Sequence, residues 1–205
     1  VGSGPFVIGL AGSVAAGKST CAAALAALLR ARRDTPHVAV VSTDGLLRTN
    51  AELAPLGLLA RKGYPETYDD ARARSVLGAL ATGASPVMVP SYSHVVYDVS
   101  GPPQVIERPD VVVVEGVNAL NEPLFEFCDF AIYLDAEEPA LRGWYVSRFL
   151  ALIEAARLDG SSFFAQWTSL GPSEASALAA AVWEQVNLPN LTEHILPTRW
   201  RADVV

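Results

Sequence analysis

Short, continuous apolar runs alternate along this chain with longer stretches of mixed character. Four of the runs read as strands: Phe6-Val7-Ile8-Gly9-Leu10-Ala11, Val38-Ala39-Val40-Val41-Ser42-Thr43, Val111-Val112-Val113-Val114-Glu115 and Phe130-Ala131-Ile132-Tyr133-Leu134-Asp135. A run that is apolar at every position has no face for water. It suits a parallel strand covered on both sides. The alanine-rich stretch 20–30, the stretch 71–81 stopped near Gly83, and the stretches 139–157 and 172–187 read as helices. Residues 46–68 have no long period and carry Pro55, Gly57, Gly63 and Pro65, which predicts a loop-rich excursion with a short helix. Val87-Met88-Val89-Pro90 and Val95-Val96-Tyr97 read as short extended pieces around Tyr92-Ser93-His94. Strands alternating with helices predict an α/β fold, doubly wound on a mostly parallel sheet. No boundary divides the chain, so 1–205 is expected to be one domain.

Composition narrows the class. The 205 residues are 51% apolar, enough for one sizeable core. The apolar runs are too short and broken for a transmembrane span, and no membrane partner is expected. The N-terminus has no basic segment leading into a long apolar core, so no signal peptide is read there. Cys21 and Cys128 lack metal-ligand spacing and read as two reduced core thiols of a cytoplasmic protein. A net charge of −7 argues against a nucleic-acid partner, which needs a basic footprint. Positive charge is carried by 13 arginines and only two lysines, Lys18 and Lys62.

Lys18 lies in the stretch that carries most chemistry. Gly12-Ser13-Val14-Ala15-Ala16-Gly17-Lys18-Ser19 fits G-x-x-x-x-G-K-[ST], between a predicted strand and a predicted helix that opens at Thr20. Successive backbone N–H groups of such a loop converge on one anion, and the helix N-terminus adds partial positive charge. The expected ligand is a nucleoside triphosphate, ATP, with Lys18 on its β- and γ-phosphates and the Ser19 hydroxyl on Mg²⁺. Three carboxylates stand at strand ends, where open α/β sheets bind ligands: Asp44, Glu115 and Asp135. Glu115 reads as the metal-associated carboxylate, Asp44 as general base and Asp135 as structural. Tyr92, Ser93, His94, Tyr97 and Asp98 form a polar and aromatic cluster on an irregular segment, where binding groups concentrate. Arg148 shares a helix turn with Trp144 and Tyr145. It either snorkels to water or stabilises a transferring phosphoryl group.

These blocks together resemble the prokaryotic type I pantothenate kinases, in the phosphoribulokinase and uridine kinase branch of P-loop kinases. The resemblance rests on the phosphate loop through Thr20, Ser42-Thr43-Asp44-Gly45, Arg61-Lys62-Gly63-Tyr64-Pro65-Glu66-Thr67-Tyr68-Asp69 and Tyr92-Ser93-His94-Val95-Val96-Tyr97-Asp98. It continues through Glu115-Gly116-Val117-Asn118, Trp144-Tyr145-Val146-Ser147-Arg148-Phe149-Leu150, Asn187-Leu188-Pro189-Asn190-Leu191 and Ile195-Leu196-Pro197-Thr198-Arg199. It implies a P-loop kinase fold and ATP- and Mg²⁺-dependent phosphorylation of the pantothenate primary hydroxyl, the first step of coenzyme A synthesis. Asp44 would be the base, and Lys18 and Arg148 the phosphate-stabilising cations. Tyr92, His94, Tyr145 and Asn187 would hold the acceptor, with Tyr97 in the same cluster. A homodimer inhibited by coenzyme A is implied as well.

The chain departs from the family pattern in places. The family's N-terminal helical segment and the C-terminal strand after Leu-Pro-Thr-Arg are expected to be absent. Ala23 replaces a basic residue on the first helix, which predicts weak coenzyme A inhibition. Leu152 and Arg157 stand at usually aromatic positions of the acceptor wall. Arg157 either turns to water or faces the pocket and favours an acceptor ending in a carboxylate. Two alternatives therefore stand beside pantothenate: another hydroxylated acceptor, such as a nucleoside or a pantothenate-like amide, or nucleotide or coenzyme A binding without catalysis.

Overall fold

The computed structural model describes residues 4–205. Its first elements are β1 (Phe6–Gly12), α1 (Lys18–Arg30), β2 (Val38–Ser42), α2 (Asn50–Leu53) and α3 (Asp70–Ala81). Four short strands follow: β3 (Val87–Val89), β4 (Tyr92–Ser93), β5 (Asp98–Val99) and β6 (Gln104–Ile106). Then come β7 (Val111–Glu115), β8 (Phe130–Leu134), α4 (Glu138–Ala156) and α5 (Pro172–Val182).

β2, β7, β1 and β8 lie side by side in that order, all parallel. Side chains alternate across a strand. Val112 and Val114 therefore point to one face, where they pack with Val7, Val41, Leu77 and Leu80. Val111 and Val113 point to the other and pack with Ile8, Leu10, Ala22 and Ala26. α3 covers one face and α1 the opposite one, which is why the four-valine run of β7 is buried at every position. A third cluster joins Ala11, Ala131 and Tyr133 to Leu141, Trp183 and Leu191. The parallel, doubly wound α/β reading holds. No described helix is long and apolar enough to cross a membrane.

Several local expectations need correction. α1 begins at Lys18, so the motif lysine and serine lie in its first turn. Val95-Val96-Tyr97 is a turn instead of an extended piece. Val95 and Val96 are about half-exposed, and Tyr97 is left-handed at φ 55°. The strand starts one residue later, at Asp98, and β4 and β5 form an antiparallel hairpin. β6 was not anticipated; it pairs antiparallel with β3. The last predicted helix does not stop at Asn187. It continues through π turns at Trp183–Asn187 and Leu191–Ile195 into a 3₁₀ turn at Leu196–Arg201. The wide turns flank Pro189, whose missing N–H and ring do not fit a regular α-helical interior. After the Leu-Pro-Thr-Arg block, Val204 makes a parallel bridge to Ile132, where no strand pairing was expected. Cys21 and Cys128 are free thiols, each partly buried.

Between β2 and α2 the chain makes a tight 3₁₀ turn, Thr43–Leu46, that carries Asp44. This turn lies directly on the chain entering β4: a Cβ on Gly45 would come within 2.0 Å of the Pro90 carbonyl oxygen. Backbone cannot yield as a flexible side chain can. Gly45→Ala is expected to destabilise the protein by roughly 1–3 kcal/mol, the usual cost of overpacking. A denaturant melt checks this, and an unchanged midpoint would show that the approach is slack.

Candidate active site

The carboxyl ends of the sheet strands define the site. β1 ends at Gly12, and the chain turns through Ser13, Val14, Ala15, Ala16 and Gly17 before α1. Gly12 lies so close to β8 that a Cβ would stand 2.5 Å from the Leu134 carbonyl oxygen. Gly17 caps α1 in the left-handed conformation, at φ 86°. Ala15 is left-handed too, at φ 63°. Alternating handedness of this kind turns successive N–H groups into one concavity, a nest for an anion. The Ser13 hydroxyl is buried there without a hydrogen-bond partner among the described residues. An orphaned hydroxyl inside an N–H nest fits a phosphate.

Lys18 is buried, and its Nζ donates to the Ser13 carbonyl at 2.7 Å, so the ammonium lies back over the loop. Burial pushes its pKa down to about 8; the Glu115 and Asp44 carboxylates oppose that shift and the Arg148 guanidinium adds to it. The four predicted charges thus feel one another across a single site. The Ser19 hydroxyl donates to Glu115 Oε1 at 3.1 Å. Glu115 itself is 6% exposed. Among the described residues no three His, Cys, Asp or Glu side chains gather into a metal cluster. One hydroxyl and one carboxylate fit Mg²⁺, which takes few protein ligands and fills its shell with phosphate oxygens and water. Thr20 is exposed on the first turn of α1. Asp44 is part-buried, with its backbone N–H directed at the Ser42 hydroxyl.

These groups open onto a cavity of about 440 Å³, within the range of small-molecule sites. Val14, Lys18, Ser19, Asp44, Glu115 and Arg148 line its phosphate end. Tyr92, His94, Tyr97, Tyr145 and Asn187 line the remainder, so the predicted acceptor residues converge as well. Aromatic packing closes the far end. Tyr97 stacks on Phe163 with centroids 4.6 Å apart, and Phe149 and Trp167 pack at 5.3 Å. The Phe163 N–H donates to the Val95 carbonyl at 2.7 Å, which ties this wall to the 94–97 turn. Burial raises the Tyr92 and Tyr145 phenols and takes Tyr97 to about 12, so all three stay neutral donors. The π turn at Trp183–Asn187 contributes Val186 and Asn187 to the wall. Asn190 and Ile195 follow five positions apart, the spacing of the second π turn.

One sequence expectation fails here, and of the two orientations open to Arg157 the outward one is found. Trp144 does not join Tyr145 and Arg148 at the cavity; it is 50% exposed on the outer side of α4. Arg157 does not face the pocket. It follows the last turn of α4 and pairs with Glu154 at 2.7 Å in the solvent. Of the two altered wall positions only Leu152 lines the cavity. Asp135 is engaged by Arg199 at 3.0 Å and does not line the cavity, matching a structural role.

One charged lining residue was missed. The Lys62 side chain is only 5% exposed and sits 5.2 Å from the Tyr92 ring centre and 5.0 Å from that of Tyr97. Its Nζ donates to the Tyr97 carbonyl and lies 3.9 Å from Asp98. Burial lowers its pKa, against the pull of Asp98 and Asp44. The signal lay in the composition: a chain that uses arginine nearly everywhere keeps two lysines, and both turn inward.

Comparison with known proteins agrees with this geometry. Residues 7–148 match the phosphoribulokinase / uridine kinase family model. A pantothenate kinase of Sorangium cellulosum is 48% identical, with 100% of this chain and 69% of the relative covered. One from Nocardioides sp. is 47% identical, with 98% and 65% covered. The chain thus spans about two thirds of the length of these relatives. A solved structure described as a fructose transport system kinase of Silicibacter sp. TM1040 superposes with a TM-score of 0.80. It is 27% identical and covers 98% of this chain and 89% of its own. By these matches the chain belongs to the phosphoribulokinase / uridine kinase family, in the group of the pantothenate kinases.

Proposed function

We propose that this chain transfers the γ-phosphoryl group of ATP to the primary hydroxyl of pantothenate, giving 4′-phosphopantothenate. One observation carries the reading: the phosphate loop, the Asp44 carboxylate and an aromatic, hydrogen-bonding acceptor wall share one cavity. The identity to relatives that are pantothenate kinases supports the choice of acceptor. Asp44 accepts the hydroxyl proton as the oxygen bonds to the γ-phosphorus and the bond to the bridging oxygen breaks. Lys18 offsets charge on the phosphates in ground and transition states. Arg148, reaching in from α4, acts as charge moves to the leaving oxygen. Ser19 and Glu115 would hold Mg²⁺, which when bound neutralises phosphate charge. Tyr92, His94, Tyr97, Tyr145 and Asn187 orient the acceptor's hydroxyls and amide.

The same reading takes 1–205 as one kinase domain, acting in the cytoplasm as a homodimer. It takes coenzyme A as a weak inhibitor, because Ala23, exposed on α1, offers its phosphates no cation.

An ATP-consumption screen against pantothenate, pantetheine and nucleosides tests the acceptor. Turnover is expected with pantothenate; turnover confined to a nucleoside would replace this reading with the second one. Asp44→Asn is expected to lower kcat by about 10²–10⁴ while ATP affinity holds. Arg148→Ala should likewise act on kcat, and a rise in the ATP KM alone would remove it from the transition state.

The position of Arg157 yields a prediction opposite to the pocket-facing alternative. Because it pairs with Glu154 in solvent, Arg157→Phe should leave unchanged the kcat/KM ratio between pantothenate and an N-alkyl pantothenamide. A ratio that moves several-fold would mean that Arg157 reaches the bound acceptor.

A further inference from the structure

Two walls of the cavity come from distant parts of the chain. One is the segment that carries Tyr92, His94 and Tyr97; the other is the stretch after α5 that carries Val186, Asn187 and Asn190. Three successive residues, Lys62, Gly63 and Tyr64, bond to both. The Lys62 Nζ donates to the Tyr97 carbonyl on the first wall. The Gly63 carbonyl accepts from Asn190 Nδ2 on the second, at 3.0 Å. The Tyr64 hydroxyl donates to the Val186 carbonyl, also on the second, at 2.9 Å. Tyr64 is 2% and Asn190 7% exposed, so both side chains are shielded from competing water. Lys62 and Gly63 line the cavity themselves.

The bridging segment is stiff. Gly63 is left-handed at φ 95°. Its N–H donates to Thr67 Oγ1 at 3.1 Å, and Thr67 Oγ1 donates to the Tyr64 carbonyl at 2.7 Å. The Arg61 guanidinium lies 3.8 Å from the Tyr64 ring centre and is held by Glu66 at 2.7 Å. The His194 ring meets the Tyr64 ring edge-on, with centroids 5.6 Å apart. Behind the segment, the Arg48 N–H donates to the Thr67 carbonyl and the Asp69 N–H to the Leu46 carbonyl, both at 2.9 Å. Leu46 closes the turn that carries Asp44, so that turn is joined to the same frame.

The second wall has less backbone support of its own, because Pro189 interrupts its helical ladder. The two side-chain bonds fall on either side of that proline. The Val186 carbonyl belongs to the peptide plane that includes the Asn187 nitrogen, so the Tyr64 bond fixes the plane from which Asn187 departs. A carbonyl only accepts, so the Asn190 NH₂ must face Gly63. Its Oδ1 has no partner among the described residues. Packing alone would be met by a leucine of similar size. The amide at this buried position is accounted for by the bond to Gly63.

We propose that Tyr64 and Asn190 are positioning residues for the phosphoryl acceptor. They hold the second wall, and with it Asn187, at a set distance from Tyr97 and Asp44, and so fix the width of the space the acceptor enters. The proposal rests on the reading of this cavity as the site of a kinase.

The experiment compares Tyr64→Phe, Asn190→Leu and the double variant, with the acceptor that the unmodified chain turns over best. Each single variant is expected to raise the acceptor KM roughly two- to tenfold, the worth of one neutral hydrogen bond. The double variant should raise it further than either. KM for ATP should hold, because the phosphate loop is built on β1 and α1, and kcat should change less than the acceptor KM. The melting temperature of each single variant should fall by no more than about 2–4 °C, the shift that one lost hydrogen bond gives a chain of this size. An unchanged acceptor KM in the double variant, an equal rise in the ATP KM, or losses that track a larger fall in melting temperature would each overturn the proposal while leaving the kinase reading intact. No turnover by the unmodified chain with any acceptor would overturn both.

Discussion

The register of β7 between its two neighbours is the constraint on which the rest of the site depends. Glu115 lies opposite Leu10 on β1 and opposite Ser42 on β2. The phosphate loop begins two residues beyond Leu10, and Asp44 follows two residues beyond Ser42. Parallel pairing thus brings the phosphate loop and the Asp44 and Glu115 carboxylates to one rim, and the Ser19–Glu115 hydrogen bond fastens α1 to it. A slip of one residue would turn every β7 side chain to the opposite face. Because both faces of that strand are buried, hydrophobicity alone would tolerate the slip. At the rim the observed alignment is tight: a Cβ on Gly116 would come within 1.7 Å of Thr43 Oγ1.

Charge at the rim is balanced locally. A buried lysine is costly in its ionised form, and the lowered pKa of Lys18 records that cost. The nearby Glu115 and Asp44 carboxylates keep it from falling further, while Arg148 supplies a second cation from the opposite wall. The site therefore sets two carboxylates against two cations, and an incoming polyphosphate adds negative charge that favours the protonated form of Lys18. Lys62 repeats the arrangement on the acceptor side, held by a carbonyl, a carboxylate and two aromatic faces.

The aromatic wall of the cavity is assembled from segments with little regular structure. The 94–97 turn, the 163–167 turn and the π-helical stretch after α5 each contribute a few side chains, and aromatic contacts join them. Such pairs add about 0.5–1.5 kcal/mol each beyond area burial. A wall built this way can change its lining without disturbing the sheet, which is why Leu152 is accommodated where an aromatic ring was expected.

The strands, the helix spans and the phosphate loop were legible in the chain because each is local. Continuous β-branched runs, an alanine-rich stretch and the glycine spacing before Lys18 carry their own signals. The residues on the rim were legible for the same reason, since a carboxylate that closes an apolar run marks a strand end. Tertiary structure decided what depends on neighbours. The 95–97 turn overrode its valines because Tyr97 takes a left-handed conformation stabilised by Lys62 and Asn50. The helix ran past Asn187 because two π turns absorb Pro189. Arg157 turned outward to Glu154, Trp144 stayed in solvent, and Lys62 went inside, although all three are long side chains at positions of no distinctive pattern. Periodicity tells which face of an element is buried. It does not tell which of two polar or aromatic neighbours meets the cavity, because that is set by partners distant in sequence.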